Sequence, residues 1–95
     1  MPGKLERTHI SANGNVRTAP GICLTVKCLV AGTGNLSIWD GIAGGDEVAD
    51  NELHVGTIPA VGDVLEINAY VSKGIRMAHI TTFGRYSVTH SERAQ

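Results

Sequence analysis

Residues 22–30 read Ile-Cys-Leu-Thr-Val-Lys-Cys-Leu-Val, with Ile22, Leu24, Val26, Cys28 and Val30 at every second position. Side chains on a strand point alternately to its two faces. This period therefore predicts a strand that buries those five residues and turns Cys23, Thr25, Lys27 and Leu29 the other way. The pattern returns at residues 64–71, where Leu65, Ile67, Ala69 and Val71 alternate with Val64, Glu66, Asn68 and Tyr70. Two such runs commit the chain to packing sheet faces, because a strand with one apolar face needs a second layer to cover it.

Weaker strands are expected around these two. Residues 35–40 set Leu36 and Ile38 against Asn35, Ser37 and Trp39, and after the turn at Ala31-Gly32-Thr33-Gly34 they read as the hairpin partner of residues 22–30. Residues 53–58, 75–82 and 85–90 complete the set, with Tyr86 and Val88 on one side of the last. Ile75 and Met77 lie on the opposite parity from Ala78 and Ile80, which suggests a bulge or two covered faces. The stretch 41–51, with Gly41, Gly44, Gly45, Asp46 and Asp50, reads as a loop holding at most one helical turn. Residues 1–21 are polar and carry Asn13-Gly14, which predicts either a short hairpin or an extended arm. Residues 91–95 read as a flexible tail. The expectation is an all-β domain over residues 22–90, an antiparallel β-sandwich or jelly-roll-like barrel of six to eight short strands.

Composition bounds what such a domain does. At 95 residues it is a single domain, with no apolar run of the roughly 20 residues a membrane helix needs and no signal-like apolar stretch at its start. A soluble protein made in a cytoplasm is expected. Eight Lys and Arg stand against nine Asp and Glu, for a formal charge of -1. A protein that grips phosphates along nucleic acid needs a basic surplus, so direct nucleic-acid binding is not expected.

No constellation of residues carries catalysis. Cys23 and Cys28 sit five apart in one strand, about 16 Å by strand rise, which is too far for a disulfide; Cys28 reads as a core residue and Cys23 as a free thiol on the other face. His9, His54, His79 and His90 show no ligand spacing, and no Cys-x-x-Cys occurs. Asp46, Glu47, Asp50 and Glu52 cluster without the spacing of a calcium loop, and Gly32-Thr33-Gly34 leads into a strand instead of a helix. No metal and no cofactor is expected. Trp39, the single Trp, is predicted to face away from Leu36 and Ile38, either onto a loop of its own domain or outward, where an aromatic ring suits another chain or a sugar.

Ile38-Trp39-Asp40-Gly41 is followed by a Gly-containing loop, then by residues 53–58, Lys73-Gly74-Ile75 and a β-rich stretch to Val88. This order resembles a group of small β-sandwich virion structural proteins of tailed bacteriophages, over about residues 22–90. The chain departs from that group with Asp46 and Glu47 in the loop and with the uneven parity of residues 75–82. The resemblance implies a non-enzymatic capsid decoration, or cement, protein on the virion surface, made in the host cytoplasm. Its implied partner is the major capsid protein or another virion protein. Homo-oligomers are implied too, trimers above all. On this reading the arm contacts the capsid through Lys4, Arg7, His9 and Arg17, with Trp39 as a further contact. Deleting residues 1–19 should then abolish capsid binding and leave a folded domain. The alternatives are a head-tail junction or tail component, and a carbohydrate-binding module with Trp39 and either Tyr70 or Tyr86 as stacking platforms.

Overall fold

The alternating runs become strands, and the order in which they pair decides the architecture. A computed structural model describes residues 5–58, 60–79 and 81–92. It contains β1 (Leu5–Ile10), β2 (Gly14–Arg17), β3 (Gly21–Val30), β4 (Asn35–Asp40), β5 (Glu52–Thr57), β6 (Val64–Val71), β7 (Ile75–His79) and β8 (Arg85–Ser91). They form two four-stranded antiparallel sheets, the first in the order β1-β8-β3-β6 and the second in the order β2-β7-β4-β5. The first strand pairs with the last, β2 with β7, β3 with β6 and β4 with β5. This is a long hairpin rolled onto itself, which is the jelly-roll arrangement of an antiparallel sandwich.

The core lies between the sheets. Cys23, Val26, Cys28, Val71, Tyr86 and Val88 enter it from the first sheet, and Leu36, Ile38, Ile75 and Met77 from the second; all ten are 0% exposed. Burying each larger apolar side chain contributes roughly 1.5–3 kcal/mol, so this layer dominates what favours folding. Phe83 adds an edge-to-face contact to Tyr86, with ring centroids 5.6 Å apart.

The strict alternation expected of residues 22–30 is broken in the middle. Cys23 pairs with His90, and Thr25 with Thr89, so β3 spends two residues where β8 spends one. This bulge at Leu24 reverses the parity. Cys23 therefore faces the core together with Val26 and Cys28, while Ile22 and Leu24 are half-buried and Val30 is exposed. The reading of Cys23 as a thiol on the outer face is corrected: both cysteines are buried and free. On its other side β3 meets a bulge in β6, where Asn68 takes a left-handed backbone with φ of 50°.

Three further differences follow from the rolled topology. β3 and β4 are not hairpin partners, because the chain crosses from the first sheet to the second between them. Residues 5–17 are neither a hairpin nor an arm: β1 closes one edge of the first sheet against β8, and β2 closes an edge of the second against β7. In residues 75–78 the alternation is regular, with Ile75 and Met77 inward and Ala78 opposite Ser37 on the outer face. Ile80 and residues 93–95 lie outside the described residues. The 41–51 loop holds two single 3-10 turns, Gly44–Asp46 and Ala49–Asn51.

Gly74, like Gly21 and Gly84, is fixed by space. A Cβ on Gly74 would collide with the carbonyl oxygen of Arg17 and crowd Ile42, so only hydrogen fits where β2 and the 41–51 loop close on the β6–β7 turn.

Candidate binding face

Antiparallel register places side chains in rows across a sheet, and the outer face of the first sheet carries three such rows. Leu5, Ser91, Ile22 and Tyr70 stand side by side in the first. Arg7, Thr89, Thr25 and Glu66 form the second, and His9, Ser87, Lys27 and Val64 the third. The first row exposes apolar surface, with Leu5 66% and Tyr70 63% accessible. The other two differ in side-chain length. Ser87 and Thr89 on β8 are short, and the longer Arg7, His9, Lys27, Leu29 and Val64 rise on either side. The result is a trough of about 360 Å³ running along β8.

The basic residues of this face are unspent. In the second sheet and its turns, Arg17 pairs with Glu6 at 2.9 Å, Lys73 with Asp46 at 3.4 Å and Arg76 with Glu47 at 2.6 Å. Among the described residues, Arg7, Lys27 and Arg85 are in no ion pair, and all three belong to the first sheet with outward parity. Among the described residues of a chain of net charge -1, the Lys and Arg outside ion pairs thus share one face.

The residues singled out in the sequence scatter over the molecule. Arg7 and His9 lie together on the trough wall, exposed. Lys4 falls outside the described residues. Arg17 turns inward and is held by Glu6, by the carbonyls of Ala19 and Pro20 at 3.0 and 2.9 Å, and by the Nδ1 of His90 at 3.4 Å. Its side chain is only 10% exposed, so it serves the fold and is not offered to a partner. Trp39 faces away from Leu36 and Ile38, as expected, but on the second sheet, half-buried beside Arg76, and its indole Nε1 is shut off from solvent. Glu47 from the 41–51 loop grips that Arg76, the cross-strand neighbour of Trp39. Tyr86 is 0% exposed and Tyr70 lies on the other sheet, so the three aromatic rings offer no shared platform for a sugar.

Thr25, Lys27, Ser87 and Thr89 were not singled out in the sequence. Their signal was the polar parity of β3 and β8, which marks an outer face without saying which strands adjoin.

Inside the sandwich, Cys23 and His90 are direct cross-strand partners. Nucleophilic thiols arise from such neighbours when the thiolate is favoured. Here burial pushes the Cys23 thiol up to about 12 and lowers the His90 imidazole, while His90 spends Nε2 on the Thr8 hydroxyl at 2.9 Å. The pair is packed, neutral and closed to substrate. Among the described residues no group of three or more His, Cys, Asp or Glu is placed to hold a metal ion, and no helix is long and apolar enough to cross a membrane. No protein family, curated protein or solved structure matches the chain.

Proposed function

We propose that this chain is a non-enzymatic virion structural protein of tailed bacteriophages, a capsid decoration protein that stabilises the head by bridging subunits of the major capsid protein. It works by covering surface, as a homo-oligomer with the trimer favoured, on the outside of the capsid. The observation that carries the reading is the outer face of the first sheet, where an exposed apolar row adjoins unpaired cations, the composition of a protein-binding surface. The jelly roll adds support by analogy, since capsid and lectin domains use it, although a fold by itself does not assign a function. A small domain repeated over a particle contributes binding at many equivalent sites, and each bound copy stabilises the assembled state by mass action.

Sedimentation with heads of the parent phage that lack this protein tests the proposal. Saturable binding is expected, at a copy number in proportion to the capsid subunits. Binding at one vertex only would instead place the protein at the head-tail junction, and failure to sediment with heads would reject both positions.

A further inference from the structure

We infer that the trough along β8 receives an extended acidic segment of a protein partner. The inference deepens the proposed function by assigning the kind of partner its face takes. Strands are about 4.8 Å apart, so β1 and β3 stand roughly 10 Å from each other across β8, wide enough for one extended chain. Arg7 and His9 are two residues apart on one wall, at a spacing of about 6.6 Å that equals the spacing of alternate side chains on an extended peptide. Lys27 faces them from the other wall. A carboxylate on every second residue therefore meets a basic group, and the hydroxyls of Ser87 and Thr89 on the floor supply further donors.

The other occupants fit less well. No Phe, Tyr or Trp lines the trough, so bases of a single strand have only the His9 ring to stack on, and three basic side chains fall short of the stripe that nucleic acid needs. A lone small anion would leave most of the volume unfilled. In a second copy of this chain, Asp46 and Glu47 are already committed to Lys73 and Arg76, and Asp50, two residues from Glu52, lies in a 3-10 turn and not on an extended segment. Glu66 stands beyond Thr25 on β6, to the side of the trough, and repels carboxylates from that edge of the face, which favours a segment lying between β1 and β3.

The test is a titration of the isotope-labelled full chain, followed through its backbone amide resonances. The probes are a short peptide alternating Glu and Ser, the same peptide with Lys for Glu, inorganic phosphate, and a short single-stranded DNA. The Glu peptide alone is expected to move Arg7, His9, Lys27, Ser87 and Thr89, with affinity falling as salt rises. The double substitution Arg7→Glu with Lys27→Glu is expected to weaken binding at least about tenfold, which an unchanged thermal midpoint would tie to the site and not to the fold. Lys27→Arg should bind as the parent does. No movement with the Glu peptide, movement centred elsewhere, or equal binding of phosphate or DNA would overturn the inference. So would an oligomer that the double substitution dissociates in the absence of peptide, because a second copy would then occupy the trough. These outcomes are separate from the head-binding assay: a decoration protein attached by another face passes that assay and fails this one, and an acidic-segment binder unrelated to virions does the reverse.

Discussion

Asp40 and Lys73, 33 residues apart in the chain, meet where β4 ends and β7 is about to begin: the Oδ1 of Asp40 accepts the backbone N–H of Lys73 at 2.9 Å. The same carboxylate accepts the N–H of Gly74 at 3.4 Å and, through Oδ2, both the N–H and the hydroxyl of Ser72 at 3.0 Å. Gly41 N–H donates to the Gly74 carbonyl at 3.2 Å, which ties the following residue to the same turn. Although burial acts to raise it, these four donors together hold the Asp40 carboxyl below its ordinary range. The segments Ile38-Trp39-Asp40-Gly41 and Lys73-Gly74-Ile75 are thus one structural unit. Their role is to lock the β6–β7 turn onto β4. Asp40→Ala is expected to cost about 2 kcal/mol in urea denaturation, in keeping with hydrogen bonds to a charged acceptor. An unchanged midpoint would show that the turn holds itself.

A second prediction concerns acid. Burial lowers the imidazole of His90 below its ordinary 6.5; Glu6 opposes that shift and Arg17 adds to it. The folded state therefore binds the proton less readily than the unfolded chain. The stability this confers is complete above 6.5 and is lost as the pH falls through the folded-state value. Asp40 and Asp46, both lowered from 3.8, add their own loss in a separate window below that value. Urea midpoints measured between about pH 7.5 and 5 should fall with pH in the parent and stay level in His90→Gln. A parent that is level over that range would contradict the assignment.

The cysteines give a third. Both are free and 0% exposed, and burial is the leading cause that raises each thiol, Cys23 to about 12. Neither should react with a disulfide reagent at mildly alkaline pH until the protein unfolds, when both should. Cys23→Ser places a more strongly solvated hydroxyl in the buried layer, beside His90 whose Nε2 is already bonded to Thr8, and is expected to destabilise by about 1–3 kcal/mol. Rapid labelling of the native chain would refute the burial.

Deletion of residues 1–19 gives the fourth, and it reverses the expectation drawn from the sequence. β1 and β2 are edge strands of different sheets, Ile10 and Val16 pack on the core, and Arg17 clamps Glu6, His90 and the chain at Pro20. The truncated protein should lose its cooperative unfolding transition and its dispersed amide spectrum. A truncated chain that keeps both would restore the idea of a separable arm.

The class of fold was legible because alternation is local. Leu65, Val71, Leu36, Ile38, Tyr86 and Val88 all point where their parity said they would. The bulge at Leu24 was not legible, since a single extra residue leaves an unbroken apolar run looking regular and shows only in the pairing with His90 and Thr89. The binding face was half visible. Arg7 and His9 were noticed as basic residues near the start, but their neighbours on β8 lie about 80 positions later, as the 82-residue separation of Thr8 and His90 shows. Pairing over that distance is set by the rolled topology, which no single segment encodes. Trp39 was given the correct side of its strand, yet which sheet that strand joins, and what covers it, depended on the same topology.

In the proposed role the outer face of β1-β8-β3-β6 binds a virion surface. A cryo-EM map of the parent particle tests it most directly. The expected map shows this jelly roll in many symmetric copies on the outside of the head, with Arg7, Lys27 and Tyr70 turned toward neighbouring virion protein. Copies whose first sheet is open to solvent, or a head without this density, would contradict it.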